Sequence, residues 1–239
     1  MRRPKKISPD PIIEAVAEFR FDAQVPPDAV LGMFFNVVKD KFPEFTKLPI
    51  AQFPDELRAA NPQLRFAPFY QATASPFQLN IGPNVLSVVN SGKYVGWDDE
   101  FFPFLKDIVS KLENSGVVRN YLRIGLRYIN FFENDIFDNI TLAITQNSEP
   151  LKSIQTNLST IFESESSLTR VLIQNNTTVN LGNKQGKGSI IDTDTCHEPK
   201  DGIPSDKIIE TVSKVHDDSL SIFFSLLKKE FIKTLNPEY

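Results

Sequence analysis

The chain lacks most residue patterns that announce a chemistry. Cys196 is the one cysteine among 239 residues, which excludes an intramolecular disulfide and any zinc site built from several thiolates. A lone thiol suits a reducing compartment, and a cytoplasmic location is expected. His197 and His216 are the only histidines. Neither sits in a His-Glu-x-x-His pair, and no Gly-x-Ser-x-Gly elbow occurs. No run approaches the roughly 18 apolar residues of a membrane span, so no membrane partner is expected. A net charge of −4 argues against bulk coating of nucleic acid.

What the chain does have is phenylalanine: 20 Phe against five Tyr and one Trp, which points to a Phe-filled core. With 41% hydrophobic and 23% charged residues it is an ordinary globular composition. The basic start, Met1-Arg-Arg-Pro-Lys-Lys6, is followed by Asp10, Pro11 and Glu14, which break any signal-peptide core. A solvated tail is expected there, with a tether for phosphate or an acidic partner as the alternative.

Ile12 to Asp22 reads as a strand with Ala15, Ala17, Phe19 and Phe21 on one face. Pro26-Pro27-Asp28 opens a helix to about Lys41. Phe69–Ala74 and the hairpin Phe77–Asn90, turning at Gly82-Pro83-Asn84, follow. Trp97 precedes three acids and a helix ending before Gly116. A helix is expected from Ser148 through Leu151, Ile154, Leu158 and Phe162, after a strand at Ile140–Thr145. Leu168–Leu181 and Ser189–Thr195 read as strands, and Ser205 caps a final helix to about Leu235. The fold class expected is α+β, a mainly antiparallel sheet covered by helices. We expect one compact unit over 1–239, with pseudo-equivalent halves 10–137 and 138–239 as an option.

Tyr121-Leu-Arg-Ile-Gly-Leu-Arg-Tyr-Ile-Asn-Phe-Phe132 alternates like a strand and sets Arg123 and Arg127 on one face, about 13 Å apart, with Gly125 between them. The missing side chain would let a partner, a ligand or another part of the fold approach. Against a binding role, Glu14, Glu18 and Arg20 share a face of the first strand, and cross-strand pairing would neutralise the arginines internally. Asp192 and Asp194 lie on one side of a strand and could hold a divalent cation, or else pair as edge-strand acids with lysines or the two arginines. Gly182-Asn-Lys-Gln-Gly-Lys-Gly-Ser189 fails the phosphate-loop spacing and reads as a hairpin. Adjacent strand residues point to opposite faces, so Cys196-His197 is no dyad. His216 reads as a helix-surface or interface histidine, and Tyr94 with Trp97 as an aromatic platform or a core contact.

Pro11-Ile-Ile-Glu-Ala-Val-Ala-Glu-Phe-Arg-Phe21 and Arg123-Ile-Gly-Leu-Arg-Tyr-Ile-Asn130 resemble the opening and central motifs of a sporadically distributed bacterial family of uncharacterised proteins. Tyr94 with Trp97, the acids Asp192 and Asp194, and His216 followed by Phe223 extend the resemblance over most of the chain. It implies a bacterial or archaeal cytosolic protein in a mobile or defence-associated gene setting, and no reaction, cofactor or catalytic residue. The expectation is a binding module that docks a protein partner, with Arg123, Arg127, Tyr94, Trp97 and His216 as candidate binding residues. One alternative is a metal-dependent phosphate-ester hydrolase using Asp192 and Asp194. Another is a small-ligand sensor with a cavity between sheet and helices. No cofactor is expected, and the oligomeric state is open.

Overall fold

A computed structural model describes residues 3–54, 57–58, 61, 64–150, 153–181 and 184–239. Among them nine strands form one antiparallel sheet. The chain enters it with β1 (Ile12–Ala23), crosses its helical face with α1 (Pro27–Val38), and returns through β2 (Glu44–Lys47), β3 (Tyr70–Ala74), β4 (Phe77–Gly82) and β5 (Val85–Asn90). A wide π-turn at Trp97–Phe101 leads into α2 (Phe102–Asn114), and β6 (Val118–Phe132) starts the second run. After a small hairpin of β7 (Thr145–Gln146) and β8 (Glu149–Pro150) come β9 (Asn157–Glu163), β10 (Leu168–Leu181) and β11 (Lys184–His197). The helices α3 (Ile208–Leu226) and α4 (Lys229–Thr234) follow.

The strand order is β2-β3-β4-β5-β1-β6-β11-β10-β9. Read outward from the central β1/β6 pair, each side is a meander that begins with the last strand made before a helix. All three long helices pack on one face, where Ala15, Ala17, Phe19 and Phe21 of β1 meet Val30 and Phe34 of α1, Leu105 and Ile108 of α2, and Val212 of α3. A second apolar cluster lies under the end of α3, joining Ile173, Ile191, Phe223 and Leu226. The α+β expectation is therefore met, and no described helix is long and apolar enough to cross a membrane.

Several local expectations are corrected. Asn157–Glu163 is an edge strand, not part of a helix: the apparent helical spacing depended on Ile154 and Ile161, which are 87% and 62% exposed. The true period is two, with Leu158 and Phe162 packed inward. Leu151, expected on that helix, lies outside the described residues, as do Gly182 and Asn183 of the glycine-rich hairpin. Ile140 makes only a single bridge, to Leu227. That bridge extends the chain at Leu227 and splits the expected final helix into α3 and α4. Ser205 opens a short 3-10 turn and makes no side-chain cap bond.

The basic start is not a free tail over its described part. Ile7 is buried, Arg3 pairs with Asp217 at 2.5 Å, and Lys6 with Asp99 at 3.0 Å. Backbone bonds join residues 5–8 to residues 235–238, among them Ser8 N–H to Leu235 O at 2.7 Å. A solvated tail would have needed nothing to pair with, and this segment has a strand-like partner.

Candidate functional site

Sheet alternation divides the sequence's candidates between two surfaces. On β6, the even positions Ile124, Leu126, Tyr128 and Asn130 face the helices, while Arg123, Gly125 and Arg127 face the uncovered side. Register extends both rows. Opposite residues share a face in antiparallel pairs, so Arg20, Glu18, Asp194 and Cys196 join the arginines.

On the uncovered side the arginines are paired within the sheet. Arg123, whose side chain is 12% exposed, donates to Glu18 Oε1 at 2.7 Å and lies 3.8 Å from Asp194 and 3.7 Å from Glu198. Arg127 clamps Asp192 with two bonds of 2.9 and 2.6 Å. Glu18 also accepts from Arg20 at 2.8 Å. Burial raises the pKa of Asp194, and the two arginines oppose that rise. The space left by Gly125 is filled by the fold itself: a Cβ there would lie 2.7 Å from Arg123 Nη1.

β11 is not the edge strand suggested by its acids, because it lies between β6 and β10. Asp192 and Asp194 are gathered with the arginines, yet no group of three or more His, Cys, Asp or Glu side chains among the described residues is arranged to hold a metal. Cys196 and His197 diverge, as alternation requires: the His197 ring meets the Ser166 carbonyl, while Cys196 lies by Arg123.

On the helical side, Tyr94, Trp97 and His216 converge from three separate elements on a cavity of about 220 Å³. Each arrives for a local reason. Tyr94 ends the loop after β5. Trp97 heads the π-turn, which follows Gly96 at φ +146°, where a Cβ would come within 3.2 Å of Asp99. His216 lies on α3 in register with Ser219, Leu220, Phe223 and Phe224, at the three-and-four spacing of one helix face. Tyr128 and Asn130 of β6 and Thr193 of β11 form the floor, and Asp10 stands at the approach to β1.

The cavity's polar groups are linked. The Tyr128 hydroxyl lies 2.9 Å from His216 Nδ1, and the Tyr94 ring meets that of Tyr128 edge-on, with centroids 6.4 Å apart. Burial pushes both phenols well above their ordinary pKa and lowers His216 to about 3, so the imidazole is neutral near pH 7. Trp97 stacks on His216 at 3.7 Å and 7°, and on Phe102 at 4.8 Å and 12°. It is thus no open platform, and its rings serve to hold the histidine. His216 is 7% exposed and not a surface histidine.

Two buried groups keep an unused atom. Asn130, 3% exposed, donates through Nδ2 to the Ile191 carbonyl at 3.1 Å and leaves Oδ1 without a partner among the described residues. His216 likewise has no partner at Nε2. Among the described residues every fully buried side-chain N and O has a partner, so these two atoms have open space before them, and both residues line the cavity. Asp10 accepts from the Ile12 N–H at 2.9 Å, and burial raises its pKa.

Sequence reasoning missed Asp10, Tyr128, Asn130 and Thr193. The signal for Tyr128 and Asn130 was available in the double-arginine strand, on the face opposite the arginines. A polar Asn on a strand face otherwise made of Ile, Leu and Tyr is the anomaly that marks a lined cavity. No family model matches the chain, and no curated protein matches it.

Proposed function

We propose that the chain is a binding module whose primary site is the cavity between sheet and helices, holding a small ligand. The observation that carries this is a pair of unpartnered polar atoms on buried side chains, Asn130 Oδ1 and His216 Nε2, both open to one cavity. Closing the cavity over them would leave both unmet, at about 1–3 kcal/mol each, so the space keeps them open to water or to a ligand. We place this role in the bacterial cytoplasm, in the defence-associated or mobile setting that the motif resemblance implies. Native mass spectrometry under gentle conditions, followed by denaturation and small-molecule analysis, tests the reading. A stoichiometric small molecule lost in Ser219→Leu, which fills the cavity, supports it. A ligand retained equally by that variant refutes the location.

Docking of a protein partner is a second reading, favoured by β9. This strand pairs with β10 alone among the described strands, leaving a seven-residue edge beside exposed Ile161 and Leu168. An extended segment of a partner protein, added as a further strand, would satisfy that edge. Ile161→Lys should release such a partner from the purified complex, and a complex indifferent to the change would count against it. The paired arginines add little to this reading, since their charges are met within the sheet.

A further inference from the structure

Resting on the cavity reading, we propose that the ligand is a small organic cation, an amine on a compact apolar frame. The first ground is charge. Asp10, Asp98, Asp99 and Glu238 line the cavity against Lys5 and Lys6, so four carboxylates face two ammonium groups. Lys6 is already bonded to Asp99. Asp10 has a backbone N–H as its hydrogen-bond partner and no ion pair among the described residues, and Lys6, the cation that acts on it, is the one engaged by Asp99. A partly desolvated carboxylate with no ion pair of its own is a place for positive charge.

The second ground is the wall. Tyr94, Tyr128, Phe223 and Phe224 line the cavity, and aromatic rings attract a cation through their electron-rich faces or present the hydroxyl oxygens of tyrosine. The third is the pair of open polar atoms on buried side chains. Asn130 Oδ1 is an acceptor only and fits an N–H of the ligand. His216 Nε2 accepts or donates according to its tautomer, and so suits one further polar group. An anion finds no arginine in the lining and an excess of carboxylates. Size sets the last limit: about 220 Å³ is below the roughly 300–1,000 Å³ of sites for drug-sized molecules.

Three probes on one frame separate the possibilities: phenethylamine, phenethyl alcohol and phenylacetate. The sole tryptophan, Trp97, is part of the site, so its fluorescence reports occupancy directly, with calorimetry as a second readout. The amine is expected to bind at least tenfold more tightly than the alcohol, with phenylacetate weakest. Asp10→Asn keeps an oxygen for the Ile12 N–H and should erase the amine's advantage while leaving the alcohol's affinity within twofold. Equal affinity for amine and alcohol in the wild-type protein overturns the cation assignment and leaves the cavity reading standing. Amine binding unchanged in Asp10→Asn overturns it too. If none of the three binds at millimolar concentration, both readings fall.

Discussion

Gly125 and Arg123 offer a sharp test of whether the uncovered sheet face is an internal network or a free binding surface. The Arg123 guanidinium lies over Gly125 while it bonds Glu18 at 2.7 Å. Arg123→Ala leaves Glu18 without its closest cross-strand cation. Breaking a fully buried pair costs about 3–5 kcal/mol and an exposed one under about 1. With the Arg123 and Glu18 side chains 12% and 27% exposed, we expect about 2 kcal/mol. For a chain of this size that is a fall in melting temperature of about 4–8 °C. Gly125→Ala places a methyl 2.7 Å from Nη1 and forces the guanidinium off its seat, so it should cost about 1 kcal/mol despite the entropy Ala saves in the unfolded chain. The two changes must then be coupled. In an Arg123→Ala background Gly125→Ala should be neutral or stabilising by about 0.5 kcal/mol, because nothing is left to displace. Urea denaturation of the four proteins measures the cycle. Additive effects, or an Arg123→Ala protein as stable as wild type, would show that the guanidinium is not seated as described.

Phe101 is fully buried and touches Phe77, Tyr94 and Trp97, so Phe101→Ala should cost about 3–5 kcal/mol and also redshift Trp97 emission. His216 gives a pH dependence of known sign. Burial lowers its pKa from 6.5 to about 3, so between those values the unfolded chain binds more protons and stability is lost as pH falls. Asp10, raised by burial, works in the opposite direction. His216→Gln should therefore flatten the decline from pH 6.5 downward in thermal melts, and an unchanged slope would refute the assignment.

Much of the sheet was legible because β1, β3 and β4 carry an apolar row on one face only. Ala15, Ala17, Phe19 and Phe21 in β1 fall on the predicted side for that reason. The stretch 148–162 was not legible, since an edge strand with Ile161 exposed loses the contrast between faces on which a period depends. Tyr94, Trp97 and His216 could be picked out as unusual residues, but no local pattern joins three positions on separate elements. Asp10 and Thr193 acquire meaning only through the fold: one is brought in by the pairing of residues 5–8 with 235–238, the other by the register of β11 against β6. The cross-strand Glu18–Arg123 bond was foreseeable because both residues face the same side of neighbouring strands.

Strand order also sets a schedule for assembly. The hairpins β3–β4–β5 and β10–β11 join neighbours in sequence, but β1 lies between strands made much later: Ala15 faces Asn90 on one side and Tyr128 on the other. At a synthesis rate of about 5–20 residues per second, β1 waits on the order of ten seconds for its second neighbour. Until β5 is made both its edges are open, and until β6 is made one edge still is, a state prone to wrong pairing. Pulse-labelled hydrogen exchange during refolding should find the amides of β10 and β11 protected before those of β1, and the reverse order would contradict this schedule. The middle of the sheet, its most deeply buried part, therefore stays incomplete until strands from both halves of the chain have been made.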